Sequence, residues 1–365
     1  MSANDNFIKG RGAQINSKNK FLSNSHEMRS EFLEYCRLEG EEANKNKTQY
    51  LEVFPKTIVN KVTSPDVGMA YSMNPYQGCE HGCIYCYARN SHEYWGYSAG
   101  LDFERKILIK KNAPQLLEQK LLSRNWKAKT IVMAGNTDCY QPAEQQYRIT
   151  RSCLKVFLKY KHPVGIITKN AFIRRDLDLL KKLASEGLVA VNISITSLSE
   201  ETRRILEPRT ASIKKRLETV QLLSENGIPV RVMIAPIIPG INSHEILSLA
   251  ETVRQHGAQS ISFTMVRLNG AIGELFTDWI QKTLPDKAEK VLHQIAACHG
   301  GSLNDSRYGV RKTGEGKIAE QIHSLMRIAK QRYFKDMEIP KLNDSLFDMQ
   351  RHKLRQSQHG QTSLF

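Results

Sequence analysis

The chain has no stretch of about 18 uninterrupted apolar residues, the length a membrane-spanning helix requires. Met1 to Lys20 are polar and basic and lack the apolar core of a secretory signal, so no membrane partner is expected and the expected location is cytoplasmic. The cysteines number seven, an odd count that in the absence of a secretory signal argues against a disulfide framework. Metal or redox chemistry is the better expectation for them. No internal repeat or long low-complexity run is present. Acidic residues are in deficit, 37 Asp and Glu against 53 Lys and Arg, which gives a formal charge of +16. That surplus suits a polyanionic partner such as DNA or RNA, yet a basic solvated surface has the same composition.

What is present is enough for a large enzyme core: 365 residues, 40% of them hydrophobic. Short β-branched runs recur at Thr130 to Ala134, Val164 to Ile167, Val189 to Ile195, Val230 to Ile234 and Ile261 to Met265, and Met69 to Ser72 makes a sixth. Helical periodicity separates them over Ala113 to Arg124, Ala143 to Tyr160, Arg175 to Glu186, Ser212 to Asn226 and Ser243 to Gln255, with stops at Gly187, Gly227 and Gly257. Repeated strand and helix units dictate a parallel α/β sheet, and in a β/α barrel the chemistry gathers at the C-terminal strand ends. Three regions follow: a polar basic N-terminal extension over 1–64, a core barrel over 65–270, and a helical C-terminal extension over 271–365 ending in a flexible basic tail. In the first, a helix is expected at Glu27 to Cys36 before a charged run from Glu39 to Lys47. In the last, helices are expected at Asp286 to Cys298 and Lys317 to Lys330, with fraying after Gln350.

Cys79, Cys83 and Cys86 stand in the pattern C-x-x-x-C-x-x-C, so three thiolates leave one tight loop bent by Gly78 and Gly82. Thiolates are soft donors for iron-sulfur clusters or zinc, and a three-thiolate set leaves one iron open to an outside ligand. The competing use is structural zinc, with His81 or His92 as the fourth ligand. Paired C-x-x-C knuckles are the usual mark of zinc, and no second pair is present.

This triad, with Tyr85 just before its last cysteine and at the end of the first strand of a β/α series, resembles the radical S-adenosylmethionine superfamily. The flanking Asn74-Pro75-Tyr76-Gln77-Gly78, Cys86-Tyr87-Ala88-Arg89, Thr137-Asp138 and Tyr140-Gln141-Pro142 resemble the spore photoproduct lyase-related group, labelled DNA repair photolyase-like. The resemblance implies a partial (β/α)6 TIM-type barrel. It also implies a four-iron, four-sulfur (4Fe-4S) cluster on the three cysteines, and S-adenosyl-L-methionine (SAM) bound at the open iron through its amino and carboxylate groups.

Tyr85 and the segment Gly135-Asn136-Thr137-Asp138 would then lie by the methionine end of the cofactor. Thr137 and Asp138 can accept hydrogen bonds from its amino group, although the same four residues also suit a turn capping a helix. Thr168-Lys169-Asn170 and Ser194-Ile195-Thr196 would face the same mouth. Arg209 is the cation expected for the methionine carboxylate, and Ala235 to Asn242 resembles the adenine-side segment of the superfamily.

The resemblance implies reductive cleavage of the cofactor to a 5′-deoxyadenosyl radical, fed by a reducing partner such as a flavodoxin or ferredoxin. The lyase relatives use a cysteine hydrogen donor just before their counterpart of Thr137-Asp138, where this chain has Gly135 and Asn136; Cys139 follows the pair instead. Cys139 and Tyr140 are the residues taken as hydrogen-atom donors. Cys36, Cys153 and Cys298 read as ordinary packed thiols. Arg307, Arg311 and Lys312 suit a phosphate, and Tyr308, Trp95 and Tyr97 suit a base. Three functions remain in play: a radical enzyme acting on nucleic acid, one modifying a protein or small molecule, and a zinc-stabilised nucleic-acid-binding module without catalysis.

Overall fold

The structure is a computed structural model and describes residues 7–21, 47–338 and 340–360, with side chains up to 354 in the last helix. Its strands are β1 (Gln49–Val53), β2 (Val59–Lys61), β3 (Tyr71–Met73), β4 (Tyr76–Gln77), β5 (Lys106–Lys110), β6 (Ile131–Met133), β7 (Val164–Thr168), β8 (Val189–Ser194), β9 (Val230–Ile237) and β10 (Ile261–Met265). The main sheet runs β10-β9-β8-β7-β6-β3-β2, with the six strands from β3 to β10 parallel and β2 antiparallel on the edge. All six expected strands are therefore found, in sequence order, joined by helical crossovers. The inner strands β7 and β8 are buried at nearly every position, as a sheet covered on both faces requires.

Among the described residues β10 and β2 do not pair, so the barrel is left open at that seam. Residues 309–312 bridge it. Met265 N–H donates to Lys312 O on one side, while Gly309 N–H and the Arg311 guanidinium reach Asp66, next to β2, on the other. Arg311, Lys312 and Arg307 are thereby engaged: Arg311 with Asp66 and Ser64, Lys312 Nζ with Asp66 O, and Arg307 with Asp305 and Glu315. Arg311 and Lys312, expected to suit a phosphate, are used in closing the seam, while Arg307 is ion-paired within its own loop.

The helix expected over Ala143 to Tyr160 is two helices, Ala143–Tyr147 and Ile149–Lys159, because Arg148 takes a left-handed φ of 53°. Glu144 explains the break. Its buried carboxylate accepts Thr150 N–H at 2.9 Å, capping the second helix from within the first, and also accepts the Tyr76 hydroxyl. The stops at Gly187, Gly227 and Gly257 all have positive φ.

Two terminal segments are more structured than their composition suggests. β1 pairs in parallel with β5, and β5 pairs antiparallel with β4, in a second sheet beside the cysteine loop. Residues expected to fray after Gln350 continue the helix Leu346–Gly360, anchored by fully buried Phe347 and by Arg351, which donates to Trp126 O at 3.0 Å. A helix at Ala271–Thr283 was not anticipated, although Ile272, Leu275, Phe276, Trp279 and Ile280 repeat at helical spacing and are all buried. The expected helix Glu27 to Cys36, with Cys36 itself, and the charged run from Glu39 up to 46 lie outside the described residues.

Candidate active site

The cysteine loop leaves β4 at the C-terminal end of β3, and Gly78 and Gly82, with φ of 79° and 69°, turn it back on itself. A side chain at either glycine would collide at 2.8 Å, with Lys106 O and with the Glu104 carboxylate respectively. Cys79 and Cys83 are buried and Cys86 is half-buried, and all three thiols are free. Burial raises each thiol above its usual range, and the neighbouring charges of Asp138, Cys83 and Cys86 raise Cys79 further. Thiols that repel one another's ionisation and face inward suit a centre whose iron charge offsets them.

The donor set fits a cluster better than a single zinc ion. Zinc needs sulfurs within about 4 Å of each other, given Zn–S bonds of about 2.3 Å. Among the described residues, no three His, Cys, Asp or Glu side chains converge that way. His81 has both ring nitrogens occupied, Nδ1 by Asp138 Oδ2 at 3.3 Å and Nε2 by Asn170 Nδ2 at 3.3 Å. His92 is fully buried, and burial lowers it to about 4. It packs edge-on against Phe103 rather than joining a four-ligand set.

Gly135, Asn136, Thr137 and Asp138 follow β6 through Ala134, which holds a left-handed φ of 67°. The segment is sewn to the cysteine-loop side. Asn74 Oδ1 accepts Asn136 N–H at 2.8 Å and Thr137 N–H at 3.3 Å, Thr137 donates to Tyr76 O, and the Tyr87 hydroxyl donates to Gly135 O. Asp138 is a hub whose oxygens accept from Thr168 Oγ1, Lys169 N–H and Tyr140 N–H, each at 2.8 Å, besides facing His81. Burial would raise its carboxyl, but His81 and the two backbone donors hold it below the usual range. Asp138 and Thr168 thus orient the cysteine loop on β6 and β7, and their polar atoms are largely engaged within the protein.

A second network lies across the mouth. Fully buried Glu207 accepts from the Tyr85 hydroxyl, from Thr196 Oγ1 at 2.8 Å and from Arg216 at 2.6 Å. Burial opposes its ionisation, but Arg216 and Lys169 hold it at about 2. The carbonyl of buried Ser194 accepts from Arg216 at 3.0 Å. Tyr85 therefore supports the loop through Glu207.

Arg209 turns toward Glu80, at 3.7 Å, and its N–H donates to His81 O. Lys169 is a second cation on this side, with Nζ 3.9 Å from Glu207 and 5.9 Å from the centre of the Tyr85 ring, and its charge, like those of Arg89 and Arg216, partly offsets the upward effect of burial on Cys83 and Cys86. Cys139 and Tyr140 are fully buried in the main core, and the Tyr140 hydroxyl donates to Asp176 at 3.1 Å. Asp176 belongs to a cluster with Arg151 and Arg175 in the helical layer, so the hydrogen-donor role expected of this pair does not suit its position. Tyr87, absent from the expected site, is 57% exposed with its hydroxyl on the Gly135 loop. The signal was present in sequence, since tyrosines bracket Cys86 on both sides.

Residues 73–253 match the Radical SAM superfamily. Over 238 residues the chain is 29% identical to an uncharacterised protein of Mycobacterium tuberculosis, covering 64% of this chain and 70% of that one. Over 251 residues it is 29% identical to an uncharacterised protein of Methanocaldococcus jannaschii, covering 69% and 90%. Among solved structures, spore photoproduct lyase complexed with dinucleoside spore photoproduct shares the fold, with a TM-score of 0.57, 16% identity, and coverage of 78% of this chain and 79% of that one.

Proposed function

The chain carries a radical SAM domain and is a radical SAM enzyme, and on that premise we propose that Cys79, Cys83 and Cys86 hold the family's 4Fe-4S cluster and that SAM binds at its open iron. A cluster held by Cys79, Cys83 and Cys86 would supply the electron for reductive cleavage of SAM and, through it, hydrogen-atom abstraction from a substrate. The observation that carries this reading is the set of three free thiols in one glycine-bent loop, with His81 already tied to Asp138 and Asn170.

The chain's own residues have distinct tasks. Lys169 supplies the positive charge for the methionine carboxylate, a role its position suits better than that of Arg209. Gly135 and Asn136 present backbone and amide groups beside the loop, with Asn74 fixing their path. Tyr87 walls the mouth with an open ring on which a planar substrate group can rest.

A nucleic-acid substrate is favoured by the +16 charge and by that open aromatic ring. A reductant of the flavodoxin or ferredoxin type would feed the cluster. The reading is tested by reconstituting the protein without air, adding reductant and SAM, and measuring 5′-deoxyadenosine. Reductant-dependent product is expected; iron incorporation without any cleavage of SAM would overturn the assignment.

A further inference from the structure

The N-terminal residues pack directly against the cysteine loop. Arg11, Gly12, Ala13 and Gln14 are buried although the segment reads as a basic arm. Gly12 lies so close to the cysteine loop that a Cβ on it would stand 1.7 Å from Gly82 O, and a Cβ on Gly100 would stand 2.1 Å from Ile15 O. Only glycine allows these two backbone crossings. Between them sits the fully buried carboxylate of Glu104, which accepts Gly12 N–H at 3.2 Å, Ala13 N–H at 2.8 Å and Arg89 at 2.6 Å. Arg89 also donates to Cys83 O at 3.0 Å and to the carbonyls of Ala99 and Gly100. Arg11 in turn donates to Glu104 O at 2.7 Å.

We propose that residues 11–16 form a strap that positions the cysteine loop and shields it from solvent, acting through Glu104 and Arg89 on the Cys83 carbonyl. The buried Arg89–Glu104 pair is the connecting piece. Burying two charges has a cost that is offset only when their remaining hydrogen-bonding groups are satisfied, and here the strap's two N–H groups supply two of those bonds. Losing the strap would leave a buried carboxylate short of partners directly behind Cys83, so the loop's geometry and the strap's attachment are coupled. The strap groups are positioning residues. The inference rests on the reading that the loop holds the iron-sulfur cluster.

The test uses the full-length reconstituted protein. Gly12→Ala forces the strap off Gly82, Glu104→Gln weakens its anchor, and Lys9→Ala, at an exposed position, is the control. Iron release to a chelator and the electron paramagnetic resonance spectrum of the reduced cluster are read for each. Supporting structure around metal ligands commonly changes metal affinity about 10- to 100-fold, and a faster release in that range with an altered spectrum is expected for both strap variants. Release and spectra matching wild type would overturn the strap. Should either variant fail to fold, amide hydrogen exchange of residues 10–17 in the wild-type protein decides, with greater protection expected after cluster loading and unchanged protection counting against the strap. A wild-type protein that takes up no iron would instead refute the cluster reading, a separate failure.

Discussion

The proposed role of Lys169 makes its positive charge the handle for the methionine carboxylate of SAM. Lys169→Met should therefore raise KM for SAM roughly 10- to 150-fold, the equivalent of the ~1.5–3 kcal/mol of a hydrogen bond to a charged group, and Lys169→Arg should recover much of it. Arg209→Ala should leave that KM nearly unchanged, since its guanidinium faces Glu80 and is a third exposed. Equal losses for Lys169→Met and Arg209→Ala in steady-state assays would show that the two cations had been assigned the wrong way round. Cys139→Ala offers a complementary check. It removes a packed sulfur from the core, so a loss of ~1–2 kcal/mol in denaturant melts is expected with SAM cleavage intact.

At the scale of elements, the C-terminal helix Leu346–Gly360 and the segment after Ile149–Lys159 meet at His162. This imidazole is fully buried, accepts at Nε2 from Trp126 Nε1–H at 3.1 Å, donates from Nδ1 to Pro163 O at 3.0 Å, and lies 5.0 Å from the Phe347 ring, edge to face. Burial lowers it from 6.5 to about 4. The unfolded chain takes up the proton first as pH falls, so stability is full above about 6.5 and is lost progressively from there down through about 4. The loss amounts to at most about 3 kcal/mol. Urea melts between pH 7.5 and 4.5 should show this decline, and His162→Phe should flatten the part of the curve nearest pH 6. The Glu207–Arg216 pair is a second element-level device, joining the end of the helix Glu200–Leu206 to the helix Ile213–Glu225. Arg216→Ala removes the nearer cation from a buried carboxylate, leaving Lys169 at 3.9 Å, and should cost up to about 3–5 kcal/mol, measured by the same melts.

For the molecule as a whole, the barrel seam and the net charge set the expectations. Asp66 joins residues 309–312 to the β2 side through the Arg311 ion pair, so Asp66→Ala should loosen the closure and increase hydrogen exchange in 309–312 without displacing the cysteine loop. The +16 charge should make any DNA or RNA binding fall linearly in log affinity against log salt, with a slope near −0.9 for each duplex phosphate neutralised or about −0.7 on single strands. Titrations at several salt concentrations read that slope; binding insensitive to salt would point to a protein or small-molecule substrate. No described helix is long and apolar enough to cross a membrane.

Local patterns determined a great deal of this protein from sequence alone. The six parallel strands were legible because covered strands read as β-branched runs, and the cysteine triad because its ligands sit within eight positions of one another. Helices such as Ile213–Glu225 announced their ends through Ser and Gly. Tertiary structure decided what depends on residues distant in sequence. Arg209 and Lys169 are equivalent as charges in a sequence, and only the packing of Glu80 and Glu207 distinguishes them. Cys139 follows Asp138 directly, yet one carries a core sulfur and the other a loop carboxylate because the turn sends successive side chains in different directions. The strap is the plainest case: Gly12 meets Gly82 across seventy residues, a contact fixed by close backbone approach, of which composition and periodicity carry no trace.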